Sequence, residues 1–253
     1  MVGSHPTLDI GRVFIGRQRE LAELKAALDR ALSGQGQLVM LAGEPGIGKT
    51  RTAQKLSAQA EARGAKVLWG WCYEEGSLSL PYLPFVEALR AYVLSREPED
   101  LRHELGSGAS DVARIVSEVR DKLAVELRVP GDPDEDRYRL FQAVSDFIGN
   151  PTSAQPLMLV LEDLHDADRG TLDLLTHLGH NLAESKLLIV GTYRDVEVDR
   201  AHPLSGALAN LRRISSFSRV LLRGLTLDEV QGMVDAIAGQ EISSGLAEAV
   251  ERQ

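Results

Sequence analysis

Eight consecutive residues, Gly43-Glu44-Pro45-Gly46-Ile47-Gly48-Lys49-Thr50, satisfy the spacing G-x-x-x-x-G-K-[ST]. Glycines in this pattern let the backbone turn tightly enough for successive N–H groups to converge on a polyphosphate. A helix starting at the loop adds its first amides and the positive end of its dipole. Lys49 has the reach and charge to meet β- and γ-phosphates, and the Thr50 hydroxyl suits Mg²⁺. The expected nucleotide-contacting set is Gly43, Glu44, Pro45, Gly46, Ile47, Gly48, Lys49, Thr50 and Arg51. The bland alternative is an ordinary glycine-rich turn between a strand and a helix. Asn150, Asn181 and Asn210 are followed by Pro, Leu and Leu, so no Asn-Lys-x-Asp loop for guanine exists, which favours ATP or ADP over GTP.

A second chemical element is Glu162-Asp163, directly after the apolar run Leu159-Val160-Leu161. Acids at the carboxyl end of a buried strand sit where α/β sheets bind ligands. One carboxylate would hold Mg²⁺ with Thr50, and its neighbour would orient or deprotonate the attacking water. By position Glu162 is the metal-side acid and Asp163 the water-side acid, with both counted in the metal set. A third element is Gly191-Thr192-Tyr193-Arg194, where Arg194 is placed to reach a γ-phosphate and report it. Its alternative is a surface pair with Asp195 or another acid. The catalytic set is then Lys49, Glu162, Asp163 and Arg194.

Three other features are set aside. Leu32-Ser33-Gly34-Gln35-Gly36 resembles a transporter-ATPase signature but precedes the phosphate loop instead of following it. His165, Asp166 and Asp168 have no second His/Cys set at ligand spacing and read as a loop leading into a helix. Cys72 reads as a small buried hydrophobe.

These residues need elements to hold them. Leu21, Leu24, Leu28 and Leu32 mark an amphipathic helix over residues 17 to 32, ended by Gly34 and Gly36. Gln37 to Ala42 reads as a buried strand running into the phosphate loop, Lys49 to about Arg63 as a helix, and Lys66 to Trp71 as a second strand: a βαβ unit. Residues 74 to 150, punctuated by five prolines, read as a helical insertion. Val112, Ile115, Val116, Val119 and Leu123 keep one helical face, and Leu140, Phe141, Val144, Phe147 and Ile148 another. Leu157 to Leu161, Leu187 to Thr192 and Val220 to Leu222 are further strands, with a helix over Thr171 to His180. Thr226-x-x-Glu229 is a capping box opening a helix to about Ala238, and Ile242, Leu246 and Val250 continue at helical spacing.

Composition narrows the function classes. The 253 residues carry a net charge of −9, with 43% hydrophobic and 26% charged residues, values of a folded chain. No apolar run reaches about 18 residues, so no membrane partner is expected. MVGSHPTLDI lacks the basic and apolar regions of a signal peptide. One cysteine suits a reducing, cytoplasmic compartment. Excess negative charge argues against direct nucleic-acid binding by this segment.

Taken in order, Phe14-Ile15-Gly16-Arg17 with Glu20-Leu21, the phosphate loop, Trp71-Cys72-Tyr73-Glu74, Pro81-Tyr82-x-Pro84-Phe85, Leu159 to Asp168, Gly191 to Arg194 and His202-Pro203-Leu204 resemble the AAA-type ATPase module of STAND-class signalling NTPases. Such modules occur in large LuxR-type regulators and in ATPase-bearing nucleotide cyclases and kinases. The resemblance covers about residues 13 to 240. It implies an α/β P-loop NTPase with a parallel β-sheet flanked by helices, a helical insertion and the start of a helical lid. Residues 1–225 would be the core, with the insertion at about 74–150, and residues 226–253 the lid, cut short. Ile15, Gly16 and Arg17 would lie near adenine and ribose, and Arg194 would act as nucleotide sensor. Where the family has His-Trp-Ala-Asp, this chain has His165-Asp166-Ala167-Asp168. The implied function is an ATP-binding, slowly hydrolysing, Mg²⁺-dependent switch of a larger multidomain regulator, with other domains of the same protein as partners and ATP-dependent homo-oligomers. The rivals are a nucleotide sensor without turnover and a P-loop phosphotransferase using the insertion as its acceptor site.

Overall fold

A computed structural model describes residues 14, 16–73 and 80–238. Ile15, Glu74 and the pattern at Ile242, Leu246 and Val250 lie outside the described residues. Of the described residues, those from 20 to 222 form one compact unit, and residues 14, 16–19 and 223–238 belong to a second.

Among the described residues five strands form one sheet in the larger unit: β1 (Gln37–Ala42), β2 (Lys66–Trp71), β3 (Leu157–Glu162), β4 (Leu187–Tyr193) and β5 (Phe217–Leu221). Their order is β2-β3-β4-β1-β5, and every pairing is parallel. Parallel strands need long crossovers, and helices supply them on both faces. Helices α1 (Gln18–Leu32) and α2 (Lys49–Ala62) cover one face, with Leu24, Leu28, Ala53 and Leu56 packing on Val39, Leu41, Met158, Val160, Leu188 and Val190. The other face takes Leu38, Met40, Leu157, Leu159, Leu161, Leu187 and Ile189, packed under helices of the insertion and the last crossovers. Alternate residues thus go to opposite faces, both apolar, which is why these strands read as unbroken hydrophobic runs.

The insertion contains α3 (Leu83–Ser95), α4 (Pro98–Leu105), α5 (Ala109–Val112), α6 (Ser117–Leu123) and α7 (Pro133–Gly149). Leu140, Phe141, Val144, Phe147 and Ile148 are all buried on one face of α7. The 112–123 pattern differs from one continuous helix: Val116 leaves helical geometry (φ −116°, ψ 88°), so the face is divided between α5 and α6, with Val112, Val116, Val119 and Leu123 still buried. Helix α8 (Arg169–His180) follows β3. Helix α9 (Pro203–Leu211), which the strand–helix reading of the sequence passed over, follows β4 and buries Leu204, Ala207, Leu208 and Leu211.

In the smaller unit α10 (Leu227–Ala238) opens with the expected capping box. The Glu229 amide donates to Thr226 Oγ1 at 3.3 Å, and Glu229 Oε2 accepts from the Thr226 amide at 2.8 Å. No helix of the described residues is long and apolar enough to cross a membrane.

Candidate functional site

Parallel strands bring their carboxyl ends to one edge. There the loop after β1, the acids after β3 and the turn after β4 meet, with β4 between the other two. Ala42 is in register with Tyr193, and Leu161 with Gly191.

Residues 43–48 connect β1 directly to α2. Gly48, the residue before the helix, has φ +97°, a conformation that costs a side-chain-bearing residue about 1–2 kcal/mol. Gly43 is required by contact instead: a Cβ there would lie 2.8 Å from the Leu222 carbonyl and 2.9 Å from Ile47 Cγ2. Glu44, Pro45 and Gly46 are exposed, Ile47 and Arg51 half-buried. Lys49 is only 7% exposed, and its Nζ donates to the Gly43 carbonyl at 2.9 Å and the Glu44 carbonyl at 3.0 Å. Burial lowers its pKa, and the Arg194 charge pushes the same way against the pull of Asp163 and Glu162.

The parity of the strands explains the acid pair. Glu162 and Thr192 continue the series Met158-Val160 and Leu188-Val190, so they point to the face on which α2 lies. Thr50 Oγ1 donates to Glu162 Oε2 at 2.7 Å, and Thr192 Oγ1 donates to the same oxygen at 3.1 Å. Glu162 is 2% exposed, and its other oxygen, Oε1, is buried with no hydrogen-bond partner. Burial raises its pKa although both hydroxyls oppose the shift. A buried carboxylate oxygen without a donor, beside a threonine hydroxyl at a helix start, is the donor set a hard divalent cation takes. Asp163 turns away from this line. It adopts a left-handed conformation (φ 58°, ψ 45°), and its amide donates to Thr192 Oγ1 at 3.0 Å. The structure thus brings Lys49, Thr50, Glu162 and Asp163 together and adds Thr192. The sequence reading passed over Thr192 in favour of the arginine two residues later; the pointer to it was its even parity on the neighbouring strand.

Arg194 leaves β4 at the same edge. Its Nη1 donates to Glu197 Oε1 at 2.9 Å, so it has a surface acid as partner, though not Asp195. His165 lies in a short 3₁₀ turn, Leu164–Asp166, with its side chain 1% exposed. Its ring nitrogens are 3.9 Å from Asp163, 3.6 Å from Asp166 and 3.4 Å from Glu197. Asp168 caps α8 by accepting from the Thr171 amide at 3.1 Å, and it also accepts from the Tyr82 amide at 3.2 Å, tying this loop to the start of α3. His202 caps α9 by accepting from the Leu204 amide at 3.2 Å. Cys72 is buried, which pushes its thiol pKa up. Gly16 and Arg17 lie in the smaller unit, both at positive φ, and the Arg17 amide donates to Glu229 Oε1 at 2.9 Å.

Residues 13–190 match the family described as AAA ATPase domain. An uncharacterized protein of Rhizobium meliloti (strain 1021) is 26% identical over 220 residues, covering 80% of this chain and 21% of that protein. A signal transduction ATPase with numerous domains (STAND) from Pyrococcus horikoshii, carrying a tetratricopeptide repeat sensor, superposes with a TM-score of 0.50 at 17% identity, covering 92% of this chain and 26% of its own. A RuvB variant of Thermotoga maritima gives a TM-score of 0.46 at 15% identity, covering 90% of this chain and 52% of its own. The chain therefore spans about a fifth of the Rhizobium relative and a quarter of the Pyrococcus protein. With the phosphate loop, the acid-ended strand and the all-parallel sheet in place, the matched family is the conclusion: this chain belongs to the AAA ATPase domain family, with the fold of a STAND-type P-loop module.

Proposed function

We propose that the chain is a nucleotide-operated switch that binds ATP, hydrolyses it slowly and serves as one module of a larger cytoplasmic regulator. The observation that carries this reading is the Glu162 carboxylate: it is held by Thr50 and Thr192, with one oxygen unpartnered, at the open start of α2. A buried charge kept in this way costs stability and suits a site that meets a cation with its ligand. Residues 43–51 would hold the phosphates, with Lys49 exchanging its two loop carbonyls for β- and γ-phosphate oxygens. Mg²⁺, held by Thr50 and Glu162, would neutralise charge on the phosphate oxygens. Asp163 would take a proton from the water as its oxygen attacks the γ-phosphorus. The bond from that phosphorus to the ADP oxygen breaks, and ADP carries off the electron pair. Arg194 would meet the γ-phosphate and distinguish ATP from ADP.

In this reading residues 1–225 are the core and 226–253 begin a lid, with Ile15, Gly16 and Arg17 near adenine and ribose. Output then lies in other domains, and ATP-loaded copies associate. The family supports the ATPase part. Binding is the first test. Lys49→Ala is expected to weaken ATP and ADP affinity by about 100-fold, the loss of two charge-assisted phosphate contacts. Unchanged affinity would refute the site. Steady phosphate release that vanishes in Asp163→Asn separates a hydrolysing switch from a module that merely holds nucleotide.

A further inference from the structure

Three residues beyond Arg194 lies a glutamate to which neither the motifs nor the reaction gives any part. Arg194 immediately precedes a 3₁₀ turn, Asp195–Glu197, and the Glu197 amide donates back to the Arg194 carbonyl at 3.3 Å. The turn folds the Glu197 side chain onto the guanidinium, giving the 2.9 Å bond to Nη1. Both side chains are about 40% exposed, yet this carboxylate is not a free surface acid. Its second oxygen lies 3.4 Å from Nε2 of His165, whose side chain is 1% exposed and fixed in the loop that follows the acid pair. Glu197 is therefore held by its own turn and by Arg194, and it lies against a buried ring to which it makes no hydrogen bond.

The consequence is competition. Glu197 offsets the guanidinium charge and draws Nη1 toward its own turn. A γ-phosphate therefore has to compete with it for the charge and orientation of Arg194, although the guanidinium has five N–H donors. ATP would have to draw the guanidinium off Glu197, whereas ADP, lacking the γ-phosphate, would leave the pair intact. Ala42, which leads into the phosphate loop, is in register with Tyr193, so Arg194 leaves the sheet beside that loop. Burial first, and the Arg194 charge with it, lowers the Lys49 pKa. We propose that Glu197 is a positioning residue that competes with the γ-phosphate for Arg194 and thereby sets how strongly the site prefers ATP over ADP. The inference rests on the reading of Arg194 as the γ-phosphate sensor.

The test is a fluorescence titration of the full chain with mant-ATP and mant-ADP in Mg²⁺, on the parent, Glu197→Gln, Arg194→Ala and the double variant. Glu197→Gln is expected to tighten mant-ATP about 2- to 5-fold, the range a partly exposed ion pair spans, and to leave mant-ADP unchanged. Arg194→Ala is expected to lower the ATP/ADP preference, and Glu197→Gln to add nothing in that background, because the glutamate acts only through the arginine. An equal shift for both nucleotides, or a Glu197→Gln effect that persists without Arg194, overturns the proposal. If Arg194→Ala lowers the preference while Glu197→Gln is inert, the competition fails and the sensor stands. If Arg194→Ala leaves the preference unchanged, the sensor reading fails and takes the competition with it.

Discussion

Helix α7 begins at Asp132, whose carboxylate accepts from the amides of Asp134 and Glu135 at 3.0 and 3.2 Å. Three acids in its first turn face the positive end of the dipole. One of them, Asp136, also accepts from the Gly131 amide at 3.0 Å and pairs with Arg139 and Arg114. Helix α2 begins at Gly48, which has no side chain to offer, and its first turn holds no acid. Both helices start with the same deficit of amide partners. In the insertion the chain meets that deficit with its own carboxylates. At the sheet edge the chain supplies neither a side-chain cap nor an acid and keeps a cation, Lys49, in the first turn, an arrangement that in the proposed function would suit a phosphate ligand. The uncapped start is the one that the proposed function assigns to a ligand, and the self-capped start is the one to which it assigns no ligand.

Substitutions at the two starts should move stability and turnover in opposite senses. The largest effect is expected from Glu162→Gln at the α2 site. Turnover should fall by about 100-fold or more, while the urea midpoint rises by the equivalent of about 1 kcal/mol as a buried, half-satisfied charge becomes neutral. The raised pKa fixes the sign with pH. Stability is lost as pH climbs from the ordinary carboxylate range through the raised value, so the variant's advantage should be larger at pH 7 than at pH 4. A stability loss in Glu162→Gln would break the contrast. Next in size is Asp132→Ala, expected to cost about 1 kcal/mol in thermal unfolding and to leave nucleotide affinity untouched. The smallest is Asp136→Asn. The Gly131 amide, then Arg139 and Arg114, hold the Asp136 carboxyl below the usual range, so its contribution is present at neutral pH and lost as pH falls through the lowered value. The parent's advantage over Asp136→Asn, read from unfolding midpoints between pH 7 and pH 3, should therefore shrink toward acid.

Much of this contrast was legible in the residues. The phosphate loop and the first two strands were readable to the residue because glycines and short apolar runs bracket them. The capping box at Thr226 and Glu229 forms as spaced. Other features were not readable, for physical reasons. Which face Glu162 points to depends on where α2 packs, and a strand buried on both sides carries no polar face to reveal it. Thr192 became important only because β4 lies between β1 and β3, an order that parallel crossovers leave open. Helix α9 did leave a signal, apolar residues at 204, 207, 208 and 211, but Gly206 in its middle weakened it. The 112–123 face kept its periodicity while Val116 broke the backbone beneath it, since burial constrains side chains more than helical continuity.

The strand order also bears on how the chain comes off the ribosome. Strand β1, which carries the phosphate loop, is made before the other four, yet its neighbours in the sheet are β4 and β5. About 150 residues separate it from β4, so at 5–20 residues per second its edges wait roughly 7–30 s for a partner. For that interval QLVMLA is an unpaired apolar strand. The nascent segment up to β2 is thus the stretch most dependent on chaperone cover, and slower decoding before residue 187 should lower the soluble yield more than slower decoding after residue 221.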